Sequence, residues 1–325
     1  MSKIITIGSA TLDVYLKSSA FKEMKSEKFV TGIGECLALG SKNEVQEVFI
    51  DTGGGATNCA VTFVNLGMDV SVMTRIGNDL FGGEIERTLK EKRINTALLQ
   101  KDKNRQTSYS TLLLLGTGQR SILVYRGASN ALDFLPKGEK PDWFYMTSLG
   151  GNIKLLSKIL VYAKKNKIKM MYNPGGGELK QGLSKLKKYF HGLEVLNLNR
   201  EEAALLCETK YENMNIIIKK LKGVAPYVVI TDGPKGAFCL QKNELWFAPS
   251  LGTRPVNTTG AGDAFGSGFC SGLMLKNNLD YALRLGILNS DGVIKKMGAK
   301  NGLLTEFPNK IQLNKVKIRK EKIPT

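Results

Sequence analysis

The stretch best equipped for chemistry is Asn257-Thr258-Thr259-Gly260-Ala261-Gly262-Asp263. Small residues lead into an Asp, and a helical pattern follows in which Phe265, Phe269, Gly272 and Leu273 share one face. Gly260 and Gly262, with Ala261 between them, let the N–H groups of a helix start converge on one cavity. Such an N-terminus attracts anions through its free donors and the helix dipole. A carboxylate inside that nest would repel a phosphate, so it is not there to neutralise one. Asp263 instead suits a base for a hydroxyl that attacks the phosphate, while the nest stabilises charge on the transferred group. Taken alone, the motif also reads as a tight turn with Asp263 as an ordinary helix-start residue.

Other motifs point the same way. Gly53-Gly54-Gly55-Ala56-Thr57-Asn58 opens a helix, and Asn58 offers both a donor and an acceptor, which suits a polyhydroxyl ligand. Gly8-Ser9-Ala10-Thr11-Leu12-Asp13 follows the first strand, where α/β sheets bind ligands, and Asp13 can accept from two hydroxyls. Asn199-Arg200-Glu201-Glu202 fits a capping box as well as a ligand site. Thr231-Asp232-Gly233-Pro234-Lys235-Gly236 follows a strand and reads either as a phosphate-approaching loop or as a hairpin turn. The pattern GxxxxGK[ST] of the common nucleotide loop is absent.

In this order, over about residues 3–304, these motifs resemble the PfkB/ribokinase family of carbohydrate kinases, and NTTGAGDAFGSGF resembles its C-terminal signature. The resemblance implies a ribokinase-like three-layer α/β/α sandwich with a small β-sheet lid. It also implies transfer of the ATP γ-phosphate to a sugar hydroxymethyl group, with Asp263 as base and Gly260, Ala261 and Gly262 as the anion pocket. The implied substrate set is Thr11, Asp13, Gly53, Gly54, Asn58 and Asp263. Asn173, Asn199, Glu202, Thr231, Gly233, Gly236 and Asn289 are implied around ATP, with Glu202 reaching Mg²⁺ through water.

A monovalent cation such as K⁺ is implied near Asn257 and Thr259, with 298–302 resembling the rest of its setting. The family often has Asp where Asn257 stands, so a ligand charge is missing here. Some ribokinases place a Glu on the sugar; the matching region here is Thr147-Ser148-Leu149-Gly150-Gly151. Arg126 is a candidate to reach the substrate from the lid. The same class leaves a nucleoside kinase open, with Phe21, Phe29 or Tyr109 as candidate walls for a base.

Strands expected over 3–8, 69–74, 143–147, 168–172, 195–198 and 227–231 alternate with helices over 57–66, 80–92, 153–165, 201–207 and 214–222. Helices over 261–275 and 279–297 follow. This alternation argues for a mostly parallel sheet covered on both faces. Two stretches, 14–52 and 107–126, break the rhythm with extra strands, the second carrying a hairpin signal at Gly116-Thr117-Gly118. They form the lid of a single domain spanning 1–325, and their exposed edges make a homodimer through the lid an expectation. The basic, sparsely apolar 309–325 reads as a mobile tail.

Composition sets the outer bounds. The 325 residues are 42% apolar and 23% charged, as in a soluble globular chain. The net charge of +18 admits a non-catalytic nucleic-acid-binding protein, but the lysines fall at solvent-facing helical spacing without interleaved aromatics, which argues against it. Cys36, Cys59, Cys207, Cys239 and Cys270 contain no CxxC pair, so free thiols and a reducing cytoplasm are expected. The opening residues run straight into a strand, and no apolar run is long enough to span a membrane. His191, the lone histidine, is expected as a helix-end contact.

Overall fold

The computed structural model describes residues 2–29, 32–115 and 120–323. The first half contains β1 (Lys3–Ile7), β2 (Thr11–Lys17), β3 (Lys22–Lys25), β4 (Ile33–Cys36), β5 (Glu47–Gly53), α1 (Gly55–Asn65), β6 (Asp69–Gly77), α2 (Leu80–Glu91), β7 (Leu99–Asp102), β8 (Ser108–Leu114), β9 (Arg120–Tyr125), β10 (Trp143–Met146) and α3 (Ile153–Asn166). Then come β11 (Lys169–Tyr172), α4 (Gly176–Leu179), α5 (Leu183–Phe190), β12 (Val195–Asn199), α6 (Arg200–Leu206), α7 (Met214–Leu221), β13 (Tyr227–Thr231), β14 (Ala237–Gln241), β15 (Glu244–Ala248), α8 (Ala261–Lys276), α9 (Leu279–Val293), α10 (Lys310–Asn314) and β16 (Arg319–Lys322).

The inner strands are buried at nearly every position, as a sheet covered on both faces requires. Their order is β16-β15-β14-β13-β12-β11-β10-β1-β6-β7. The run from β13 to β7 is parallel, and β14, β15 and β16 extend it antiparallel. The period-2 alternation of strand side chains divides the interior into two cores. Ile4, Trp143, Tyr145 and Met171 join residues of α1, α2, α8 and α9 on one face. Ile5, Ile7, Phe144, Met146 and Tyr172 join α3, α5, α6 and α7 on the other. These are the three layers that the family resemblance implied.

Helix α8 lies very close to its neighbours. A Cβ on Gly272 would stand 2.5 Å from the Ala282 Cα of α9, and one on Gly266 would stand 2.1 Å from the Tyr145 hydroxyl. The small residues of α8 therefore let the helix that begins at the chemical motif seat against the sheet and α9.

The lid is a separate sheet of order β5-β2-β8-β9, with β3 and β4 forming a small hairpin beside it. In its register Asp13 pairs with Asp51 on β5 and Ser110 on β8, and Ser110 pairs with Val124 on β9. Asp13 thus sits inside a lid strand rather than in a loop after β1. The hairpin signal at Gly116-Thr117-Gly118 lies outside the described residues.

Two expectations need correction. Helix α9 stops at Val293, not at 297, because the Ile294 carbonyl turns to accept the N–H groups of Val256 and Asn257. The C-terminal segment is no free tail: α10 caps itself at Asn309, β16 pairs with β15, and Val316 and Ile323 are buried. A few apolar anchors and an open sheet edge suffice to dock a segment that is otherwise basic. Among the described residues, no helix is long and apolar enough to cross a membrane.

Candidate active site

Asp263 stands in the first turn of α8, whose N-cap Gly260 has φ 80°. That left-handed conformation favours glycine, and a Cβ there would also lie 2.6 Å from the Ala299 Cβ. Loop 298–302 therefore forms the back wall of the helix start. The Ala261 N–H turns back to the Thr258 carbonyl at 3.3 Å. The N–H groups of Gly262 and Asp263 are left by helix geometry without an intrahelical partner, open to an incoming anion.

The Asp263 carboxylate faces a cleft of about 160 Å³ lined by Asn173, Asn197, Asn199, Glu202, Thr231, Gly260, Gly262 and Asp263. Four motifs widely separated in sequence converge there because β11, β12 and β13 end, and α8 begins, on the same side of the sheet. Asn58 on α1 donates its amide to Asp263 Oδ2 at 2.8 Å. Its Oδ1 is buried with no protein partner. Burial pushes the Asp263 carboxyl above the usual carboxylate range. The Asn58 hydrogen bond and the charge of Lys300 pull it back, and Asp13 pushes it up further.

Asp13 is almost fully enclosed, and its Oδ1 accepts the Thr11 hydroxyl at 2.9 Å. Burial raises its pKa too, opposed by Thr11, Lys300 and Ser110. Gly53 makes room for this carboxylate, since a Cβ there would meet Asp13 Oδ2 at 1.9 Å. Gly54, with φ 96°, is the N-cap of α1.

Asn199 caps α6, accepting from the Glu202 N–H at 2.8 Å, while Glu202 Oε2 accepts from the Asn199 N–H at 2.8 Å. The capping box and the cleft are thus one arrangement. Asn173 donates to the Asn197 carbonyl and to Glu202. Burial raises the Glu202 pKa against the hydrogen bonds from Asn199 and Asn173. Thr231 lines the cleft, whereas Gly233 and Gly236 shape the turn behind it and do not. Asp232 in that turn is locked by Arg200 at 2.6 Å and the Tyr211 hydroxyl at 2.5 Å, which pins the turn to α6.

Asn289 is not a lining residue. It is fully buried, donates to Thr62 Oγ1 and the Ala264 carbonyl, and accepts the Leu304 N–H. Its work is to join α9, α1 and α8. Arg126 is exposed, and the lid arginine that crosses to the site is Arg120, which donates to Thr258 Oγ1. Tyr109 stacks on Phe81 at 5.5 Å, on the face of β8 opposite Ser110 and Asp13. Phe29 packs over Gly34 within the β3–β4 hairpin. Ile122 and Val124, which share the Asp13 face of the lid, are half exposed instead. Sequence reasoning missed Asn197 and Arg120 and read 298–302 only as part of a cation setting, without the Lys300 side chain; no local pattern distinguishes an inward Asn, Arg or Lys from an outward one.

Residues 1–306 match the pfkB family of carbohydrate kinases. The ribokinase of Bacillus subtilis is 26% identical, over 94% of this chain and 97% of its own length. Among solved structures, the ribokinase from Giardia lamblia aligns with a TM-score of 0.76 at 19% identity, covering 97% of this chain and 99% of that one. The nucleoside kinase of Methanocaldococcus jannaschii, an archaeal member of the ribokinase family, aligns with a TM-score of 0.75 at 19% identity, covering 97% and 98%.

The residues fit a phosphate-borne Mg²⁺. Glu202 keeps one oxygen outside its capping bonds, and Asn197 Oδ1 is buried without a partner in the same cleft. Among the described residues, no group of three or more acidic, His or Cys side chains could hold a metal. A magnesium ion that takes few protein ligands and keeps its waters matches that donor set. At the setting implied for a monovalent cation, the Asn257 oxygen accepts the Thr259 N–H at 3.1 Å and its buried amide nitrogen is unpaired, while Thr259 Oγ1 is a buried oxygen with no hydrogen-bond partner.

Proposed function

Because the chain belongs to the pfkB family of carbohydrate kinases, and is an ATP-dependent sugar kinase, we propose that Asp263 is the base that takes the proton from a primary hydroxymethyl group of the acceptor. The observation that carries this is the placement of its carboxylate at the mouth of the α8 N-terminus, held by Asn58 and opposite the enclosed Asp13. Bound ATP with Mg²⁺ supplies the transferable phosphoryl group and the divalent counter-charge.

The chain's own residues do the rest. Asp13, Thr11 and Asn58 hold acceptor hydroxyls so that one points at Asp263. The Asn58 hydrogen bond orients the base. A pKa above the usual carboxylate value makes the ionised carboxylate a stronger base. The free N–H groups of Gly262 and Asp263 stabilise charge on the phosphoryl oxygens as they pass between donor and acceptor. Glu202, Asn197, Asn199, Asn173 and Thr231 carry the polyphosphate and its waters. The wider cavity of about 450 Å³ between Leu251, Leu288, Leu304 and Lys315 suits the nucleotide base.

A nucleoside as acceptor is the second reading. It is favoured by Ile122 and Val124, apolar and half exposed on the acceptor side of the lid, where a flat base could rest. Two lids pairing into a dimer, a reducing cytoplasmic setting and turnover without K⁺ complete the proposal. The decisive experiment is an ADP-release screen over pentoses, hexoses, phosphosugars, ketodeoxy acids and nucleosides. Turnover with a free sugar supports the first reading and a nucleoside-only profile the second. No turnover with any of them would sink both.

A further inference from the structure

Lys300 is a charged side chain enclosed beside the site, with only 7% of its surface exposed. Its ammonium donates to the carbonyl and, at 3.2 Å, to the hydroxyl of Thr52. Thr52 lies on β5, an edge strand of the lid, between Asp51 and Gly53. The loop that carries Lys300 touches both sides of the site. Ala299 presses on Gly260 at the start of α8, and a Cβ on Gly298 would lie 2.5 Å from Asp51 Oδ2.

The charges facing this ammonium come from every element around it: Asp51 on β5, Asp13 on β2, Asp263 on α8 and, repelling it, Lys92 beyond α2. A lysine is hard to bury without such company. Conversely, two carboxylates that must both be ionised around one alcohol repel each other and need a nearby cation.

We propose that Lys300 is a positioning residue for the transfer, a built-in cation that ties lid strand β5 to the loop behind the amide pocket and balances the carboxylates flanking the acceptor. The inference rests on the reading of Asp13 and Asp263 given above. It also gives loop 298–302 a purpose that needs no bound ion. Burial brings the Lys300 ammonium down to about 8 against the pull of the three aspartates. The balance therefore holds at neutral pH and fails in mild alkali.

The test compares Lys300→Met, which removes the charge at similar length, with Lys300→Arg, which keeps it. In Lys300→Met, kcat/KM should fall by roughly ten- to a hundredfold, and the acid limb of its pH profile should move up by about one unit. Lys300→Arg should restore the limb. A Met variant with wild-type rates and an unmoved limb overturns the proposal. Should that variant not fold, carbon-13 NMR of the wild type decides. The Lys300 ε-carbon should titrate near 8, with the Asp13 and Asp263 carboxyl carbons responding at the same step. An ordinary lysine midpoint, or carboxyl carbons silent to it, overturns the proposal equally. This measurement needs no substrate, so failure of the kinase reading and failure of the charge balance give different results.

Discussion

At the scale of single residues, the proposed mechanism stands on Asp263 as the base, in surroundings that raise its pKa. Asp263→Asn keeps the size and the Asn58 contact but replaces the basic carboxylate oxygen with an amide too weakly basic to take the proton. Turnover should fall by about 10²–10⁴-fold, the usual share of a positioned base, while calorimetry shows nucleotide affinity little changed. A variant with near wild-type kcat would remove Asp263 from the base role. The pH dependence has a definite sign. Because burial raises the Asp263 pKa, the active ionised form is lost as pH falls through that raised value. The acid limb of kcat/KM should therefore lie above the ordinary Asp value of about 3.9; a limb at that ordinary value would show that burial is not felt. Asn257 gives a further expectation, since its oxygen is already used by Thr259. Replacing K⁺ by tetramethylammonium should leave the rate unchanged within about twofold, against the roughly tenfold set by a 1.4 kcal/mol contribution to transition-state binding. A steep dependence on K⁺ would mean that Asn257 turns its oxygen outward.

At the scale of elements, the lid and the turn that starts α8 are already in contact. Arg120 reaches from β9 to Thr258, whose carbonyl also takes the Ala261 N–H. The lid thus bears on the turn that sets the amide pocket. Lids of this kind exclude water and complete the site. Arg120→Ala should lower kcat/KM for the acceptor by about tenfold and raise ATP hydrolysis without acceptor several-fold, since a loose lid admits water. An unchanged ratio of hydrolysis to transfer would mean that the contact does not govern closure. Most of these elements were legible because their signals are local. Short apolar runs gave the parallel strands, helical spacing gave α2, α3 and α8, and glycines before Asp263 and Asn58 gave the helix starts. What was hidden depends on distant partners. β16 exists because β15 offers an open edge. Asn289 looked like a ligand residue but serves three helices at once. Lys300 meets Thr52 across 248 positions of sequence, a distance at which periodicity carries no information.

At the scale of the whole molecule, a lysine-rich helical layer and an apolar lid face are distinct surfaces of a chain with net charge +18. Lys154, Lys158, Lys164, Lys185, Lys187, Lys219 and Lys220 are exposed on α3, α5 and α7, the helical layer opposite α1 and α8. The outer face of the lid carries Val48 and Ile50 on β5 and Leu123 and Tyr125 on β9, each about half exposed or more. Strand register puts all four on the side away from Asp13. Both β5 and β9 are edge strands with unpaired backbone groups. An apolar sheet face bounded by free edges is a surface that water tolerates badly. A second copy of the same lid would cover it with matched chemistry, and the lysine-rich layers would stay apart. Light scattering at micromolar concentration should therefore give twice the monomer mass. Ile50→Lys with Leu123→Lys should return it to the monomer with the circular dichroism of the parent chain, because both side chains already stand in solvent in the single copy. If the lid pairs as expected, the monomeric variant should also lose acceptor affinity before nucleotide affinity, since β2 and β5 hold Asp13 while the nucleotide cleft is built by the main sheet. A wild type that stays monomeric at tens of micromolar would leave the apolar lid face without this explanation.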